Sequence, residues 1–99
     1  MSGAPSLMML LGDSLEAVYR EAGDLEERGK CFQAFHLLLR VAEVGPPPLA
    51  ARALNNAAVI LSEHGFEDDA RELLRSALRQ DANCAEAREN LACLGERSS

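Results

Sequence analysis

The stretch AAVILSEHGFEDDARELLRSAL, residues 57–78, repeats the pattern of EAGDLEERGKCFQAFHLLLRVA, residues 21–42, at an offset of 36 residues. The matched positions are mostly small or apolar, and they recur at the three- and four-residue intervals of an amphipathic helix. The matched pairs are Ala22 and Ala58, Leu25 and Leu61, Glu27 and Glu63, Gly29 and Gly65, Ala34 and Ala70, Leu37 and Leu73, and Leu38 and Leu74. An internal period of this length is typical of stacked helical hairpins.

The composition favours helices over strands. The chain has 99 residues, of which 47% are apolar but only 4% aromatic, and it contains no Trp and no Thr. Leu, Ala, Glu and Arg dominate and favour helices, whereas Thr, which favours strands, is absent. A chain of this length is expected to form one small all-α domain with a core of Leu and Ala.

The charge of the chain restricts the class of partner. The formal net charge is −6, from 16 acidic and 10 basic residues. Nucleic-acid-binding proteins need a basic surface against the phosphates, and anionic membranes attract basic segments. The composition therefore argues against a nucleic acid and against a membrane as partner.

The cysteines and the N-terminal segment indicate a compartment. The three cysteines, Cys31, Cys84 and Cys93, form no CxxC motif and cannot all pair with one another. This usage is typical of reduced thiols in a cytosolic protein. The apolar segment LMMLL, residues 7–11, follows no basic residue and is too short for a signal-peptide core or a membrane span. We expect a cytoplasmic protein.

Local signals predict five helices. Asp13 and Glu16 have the spacing of a capping box at the start of the first helix, and Gly29 suits the left-handed geometry at its end. A second helix follows, with buried candidates Phe32, Ala34, Phe35, Leu38 and Val41. The GPPP segment, residues 45–48, is expected to end this helix in an extended stretch.

The same signals divide the rest of the chain. Gly65 closes the third helix, and Asn83 with Glu86 offers a capping-box start for the fifth. A step of 34 residues carries Asn56 onto Asn90, so the last helix corresponds to half of a third unit, and such half-units close the end of a stack. We predict an apolar extension at residues 1–12, repeats at 13–48 and 49–82, and a capping helix at 83–97.

This organisation resembles the tetratricopeptide repeat (TPR) family over about 85 residues, from near Leu15 to near Gly95. The positions that carry the resemblance are small residues at the helix crossings, a glycine after the first helix and an aliphatic residue one turn into the second. They are Ala22, Ala58, Ala92, Gly29, Gly65, Ala34, Ala70, Leu38, Leu74, Val41, Ala77 and Pro46. The family's large aromatic is replaced by Val18 and Leu54, and its closing proline by Ala82 in the second repeat. The resemblance implies antiparallel hairpins stacked as a short right-handed solenoid.

The resemblance also implies a binding face on the inner side of the first helix of each hairpin. The residues expected there are Glu16, Tyr19, Glu26, Glu27, Arg52, Asn55, Asn56, Val59, Glu63, Glu86, Glu89 and Cys93. Glutamates outnumber the one arginine, so we expect a basic or amphipathic peptide or helix as partner. The alternative is an ordinary solvated helix face. The family subgroup that binds chaperone C-terminal carboxylates uses basic residues that this face lacks.

Two features of the sequence have more than one interpretation. The pair Asn55 and Asn56 suits hydrogen bonds to a peptide backbone, or a structural bond between repeats. The apolar residues of the N-terminal segment suit an extra helical turn on the first hairpin, a contact in a homo-oligomer, or the docking point of a neighbouring domain. They are Leu7, Met8, Met9, Leu10 and Leu11.

No catalytic or cofactor motif stands out. His36 and His64 lack a catalytic context, the cysteines and histidines lack zinc-ligand spacing, and Asp68 and Asp69 suit the first turn of a helix. We therefore expect no enzyme activity, no cofactor and no metal. The prediction is a protein interaction module, such as a scaffold, adaptor or small chaperone. The alternative is an accessory TPR segment of a larger enzyme such as a transferase.

Overall fold

In the computed structural model, residues 7–95 are described, with the backbone alone at 7–13. The helices are α1 (Leu7–Glu27), α2 (Cys31–Val44), α3 (Pro47–Glu63), α4 (Glu67–Gln80) and α5 (Ala85–Cys93). No strand occurs in this part of the chain. The prediction of five helices in an all-α fold is confirmed.

The helix α3 is the centre of the packing. Each helix packs on the next along the chain, and α3 also packs on α5. Its Ala53, Ala57 and Ile60 belong to a core shared with α1 and α2. Its Leu54 and Ala58 belong to a second core shared with α4 and α5. The many alanines of α3 bring neighbouring backbones close, and the largest fully buried side chains are aliphatic, as the composition predicts.

The 36-residue offset seen in the sequence is also present in the structure. The bounds of α2 and α4 differ by this offset, and so do the ends of α1 and α3. Ala34 and Ala70 are both fully buried, and Leu38 and Leu74 are both 1% exposed. The repeated apolar pattern therefore corresponds to two hairpins with equivalent buried positions.

The turns of the two hairpins are also equivalent. Gly29 and Gly65 have φ angles of +80° and +90°, a region that favours glycine. Directly after Gly29 in the chain, the backbone N–H of Lys30 donates to the carbonyl of Leu25 at 2.8 Å. Phe66 donates to Leu61 at the same distance after Gly65. Both turns have the hydrogen bonds of a Schellman motif, so the prediction for the two glycines is confirmed.

The start of α1 differs from the prediction. The helix includes residues 7–12, so Asp13 lies inside it and does not cap its first turn. A capping residue acts only where the chain before it leaves the helix, and the segment before Asp13 continues the helix. The capping-box prediction at Asp13 is therefore wrong.

The prolines also differ from the prediction. Only Gly45 and Pro46 are extended, with ψ angles of 163° and 159°, and α3 begins at Pro47. The first helical positions have no intrahelical acceptor for their N–H groups, so Pro47 and Pro48 lose no hydrogen bond there. The expected extended stretch through Pro48 is therefore wrong.

Three further side-chain predictions fail. The N-cap of α5 is Cys84 and not the predicted Asn83. Asn83 belongs to the preceding turn, where its backbone N–H donates to the carboxylate of Asp81 at 3.0 Å. Phe32 is 69% exposed and stands 5.7 Å, centroid to centroid, from the ring of His64, so it is not a core residue. Ala92 is exposed, unlike Ala22 and Ala58, because no second helix follows α5 within the described residues.

Candidate interaction face

A chain of side-chain hydrogen bonds joins α1, α3 and α5. The Nδ2 of Asn56 donates to the Tyr19 hydroxyl at 2.9 Å. The Nδ2 of Asn55 donates to the Oδ1 of Asn56 at 3.2 Å. The Nδ2 of Asn90 then donates to the Oδ1 of Asn55 at 2.8 Å. These four residues, called the amide chain below, place one polar line across three helices.

The amide chain supports the structural role considered for the asparagine pair. Asn55 is buried, and its side chain makes hydrogen bonds to Asn56 and Asn90, two other members of the amide chain. Asn56 and Tyr19 are half-buried. The pair therefore makes the structural bonds between helices. Because an amide nitrogen has two protons, Asn56 keeps one donor, and the Tyr19 hydroxyl keeps its own proton.

Arg52 lies over the ring of Tyr19. Its guanidinium carbon is 5.4 Å from the ring centroid, which is the geometry of a cation–π contact. Within the described residues, no ion pair joins Arg52 to a carboxylate. The only arginine of the predicted face is thus placed beside the amide chain and not among the glutamates.

A group of three glutamates gathers where α1 and α3 end. Burial, and next the negative charges of Glu63 and Glu27, raise the pKa of Glu26 above its ordinary value. The charge of Glu63 on α3 thus acts on the carboxyl group of Glu26 on α1. We call Glu26, Glu27 and Glu63 the acidic group. The three carboxylates carry charge of the same sign and repel one another, so the group is electrostatically unfavourable without a cation.

The ion pairs of the described chain lie elsewhere. Arg40 pairs with Glu43 on α2, Arg71 pairs with Glu67 and Asp68 on α4, and both Arg75 and Arg79 pair with Glu72 on α4. These four carboxylates of α2 and α4 thus have cations on their own helices. No such pair reaches the glutamates predicted for the inner face, within the residues that the structure describes.

A cleft adjoins the acidic group. It has a volume of about 140 Å³ and lies between α3, α4 and α5. Its wall is formed by Ala58, Val59, Ser62, Glu63, Leu74, Asn90, Cys93 and Leu94. Glu63 belongs to both the acidic group and the cleft wall, and Asn90 belongs to both the amide chain and the cleft wall. The cleft therefore connects the two polar groups.

The structure divides the predicted site residues into sets. Tyr19, Arg52, Asn55 and Asn56 meet around the amide chain, and Glu26, Glu27 and Glu63 form the acidic group. Val59 and Cys93 line the cleft. Glu16, Glu86 and Glu89 are exposed, and among the described residues no ion pair ties them to either group. Sequence reasoning missed the cleft, whose sequence signal is the apolar and acidic pair Val59 and Glu63, one helical turn apart.

The remaining chemical candidates have structural partners. The Nδ1 of His64 lies 2.9 Å from the carbonyl of Ile60, and the ring of His36 meets that of Phe35 edge-on. Cys31, Cys84 and Cys93 are free thiols, and Cys84 is buried. Among the described residues no group of His, Cys, Asp and Glu is placed to hold a metal ion. No helix of the described part is long and apolar enough to cross a membrane.

Comparison with known proteins leaves the function to be argued from this geometry. No protein-family model matches the sequence, and no curated protein matches it at a significant level.

Proposed function

We propose that the chain is a protein interaction module, a TPR-like helical scaffold that binds a basic or amphipathic segment of another protein. The binding face comprises α1, α3 and α5, the helices joined by the amide chain. The observation that carries the proposal is the cleft between α3, α4 and α5, whose partly apolar wall includes the carboxylate of Glu63.

Charge supports a basic partner. Bringing carboxylates together raises the free energy of the unbound protein, and an incoming Lys or Arg relieves this repulsion. The same charges repel acidic segments, which gives selectivity as well as attraction. Complementary charge also speeds the encounter, and this effect weakens as salt increases.

Packing supports a stable binding surface. The amide chain fixes three helices relative to one another, so the face loses little conformational freedom when a partner binds. Asn56 and Tyr19 retain donors for the partner's backbone carbonyls. The proposal thus combines a rigid polar line, an acidic end and an apolar cleft on one side of the molecule.

A quantitative pull-down tests this function. Wild-type protein and the double variant Glu26→Gln, Glu63→Gln are compared as baits, because glutamine keeps the shape and removes the charge. The control bait is Glu21→Gln, Glu43→Gln, which removes the same charge from exposed positions of α1 and α2. The Glu43 pair with Arg40 is exposed and contributes little to stability.

The expected result is a partner that the wild type and the control retain and the Glu26, Glu63 variant loses. The amount of partner that the wild type retains should also decrease when the salt concentration is raised. Equal retention of every prey by all three baits would refute the proposed face. Circular dichroism of the three baits confirms equal helix content before the comparison.

A further inference from the structure

The cleft between α3, α4 and α5 has the volume of one apolar side chain. Its 140 Å³ is close to the roughly 150 Å³ at which an apolar cavity accepts a benzene-sized molecule. Ala58, Leu74 and Leu94 supply apolar wall, and Val59 is half-buried there. A Leu, Met or Phe side chain of a partner would bury its apolar surface in this cleft, and this burial would favour binding.

The edge of the same cleft carries charge of one sign. Glu63 lies on its wall. The negative charge of Glu63 also contributes to raising the pKa of Glu26 on α1. Glu63 follows Val59 by one helical turn, so the apolar wall and the carboxylate are about 6 Å apart along α3. A helix that lies beside α3 presents residues three or four apart at the same spacing.

We propose that the cleft binds a Leu, Met or Phe side chain of a partner helix whose Lys or Arg, one turn away, pairs with Glu63 on the cleft wall. This inference rests on the proposed function and narrows it to two adjoining contacts. The cation meets the Glu63 carboxylate in a charge-assisted contact. The apolar side chain fixes which turn of the partner meets the acidic group.

The described part of the chain leaves room at the cleft for a separate helix. Ala22 and Ala58 are covered by the second helix of their hairpins, whereas Ala92 of α5 is exposed. Among the described residues no helix covers the side of α5 that carries Ala92. Cys93, at the end of α5, and the following Leu94 line the cleft. A bound helix would therefore have open access along α3 and α5.

Fluorescence anisotropy with designed peptides tests the inference. The probe is a labelled, alanine-based helical peptide with Leu and Lys four residues apart, and its matched versions carry Leu→Ala or Lys→Gln. We expect each change to weaken binding to the wild type at least fivefold, which is the effect of about 1 kcal/mol. With the Glu26→Gln, Glu63→Gln protein, the Lys→Gln change should no longer matter, while the Leu→Ala change should still weaken binding.

A chemical readout locates the peptide. Iodoacetamide labelling, followed for each cysteine by mass spectrometry, should slow at Cys93 when the peptide is bound, because Cys93 lines the cleft. Cys31 on α2 lies outside the cleft and is the internal control, whose rate should not change. This pattern requires no variant and so does not depend on how a variant folds.

The outcomes separate the inference from the proposed function. If the peptide binds but Cys93 is labelled at an unchanged rate, or if the Leu and Lys changes have no effect, the cleft inference is overturned. It is also overturned if the parent peptide fails to bind at 1 mM, a weak limit of about −4 kcal/mol. In each case a partner lost by the Glu26, Glu63 bait in the pull-down still supports the acidic face.

Discussion

The Nδ2 of Asn90 in α5 donates a 2.8 Å hydrogen bond to the Oδ1 of Asn55 in α3. Asn55 is 6% exposed, so this bond replaces water for a buried amide. The bond fixes how the last helix sits on the centre of the domain. Buried hydrogen bonds of this kind specify one arrangement of neighbouring helices where apolar contacts alone would allow several.

We predict that Asn55→Ala destabilises the domain by about 1–3 kcal/mol, because it leaves the amides of Asn56 and Asn90 without their partner. The measurement is urea unfolding followed by circular dichroism. The matched control is Asn83→Ala at an exposed position, for which we expect a change within about 0.5 kcal/mol. Similar midpoints for the two variants would contradict the structural role of the amide chain.

Two glycine substitutions should have opposite signs. Gly65→Ala places a side chain where φ is +90°, so we expect a loss of about 1 kcal/mol. Gly23→Ala lies inside α1, where an added Cβ meets nothing within 4 Å, so we expect a gain of about 0.5–1 kcal/mol. Thermal unfolding measures both. A gain at Gly65 would mean that the turn does not need its left-handed geometry.

The core of α2 predicts a contrast between two large apolar residues. Leu38 is 1% exposed, so Leu38→Ala should cost about 2–5 kcal/mol and could abolish cooperative unfolding in so small a domain. Phe32 is 69% exposed, so Phe32→Ala should change stability by no more than about 0.5 kcal/mol. Urea unfolding measures the loss of stability caused by each substitution. Equal costs would mean that Phe32 is packed in solution.

The acidic group predicts an unusual pH dependence. Because the pKa of Glu26 is raised above 4.5 in the folded protein, the folded state holds this proton more tightly than the unfolded state does. Its contribution to stability is therefore complete below pH 4.5 and is lost as the pH rises through the raised pKa. The causes, in order, are burial, the charge of Glu63 and the charge of Glu27.

The substitution Glu26→Gln should remove this loss of stability at high pH, because glutamine has no carboxyl group to ionise. At pH 7.5 we expect the variant to be more stable than the wild type by about 0.5 kcal/mol or less, since solvent screens a partly exposed carboxylate. This corresponds to a rise in Tm of roughly 2 °C. At pH 3.5 both side chains are neutral, and the difference should vanish. A difference in Tm that stays constant between these pH values would contradict the electrostatic account.

The repeated parts of the sequence predicted the structure well. The pairs Gly29 with Gly65 and Leu38 with Leu74 marked equivalent turns and core positions, because positive φ and full burial each restrict the residue type strongly. Single local signals predicted less. Asp13 and Asn83 have the chemistry of capping residues, but the neighbouring chain decides whether a helix starts there. Phe32 is apolar, yet its position near a helix end leaves it in solvent.

The candidate face was predicted in part. Tyr19, Asn55 and Asn56 were selected from the chain alone, whereas their connection to Asn90 depends on the placement of α5. The proximity of Glu26 and Glu63 and the cleft beside them depend on distances between helices. Sequence spacing gives positions around one helix, but the distance between two helices is set by the side chains packed between them.

Tyr19 has an optical consequence. It is the only tyrosine of the chain, which contains no tryptophan, so the ultraviolet emission of the unmodified protein comes from one ring. The hydroxyl of that ring accepts a hydrogen bond from Asn56, and Arg52 lies over its face. A ligand without Trp or Tyr that displaces Arg52 or takes a hydrogen bond from the hydroxyl would change this emission directly. The protein thus contains an intrinsic fluorophore at the centre of its candidate face, and titrations can be read without a label.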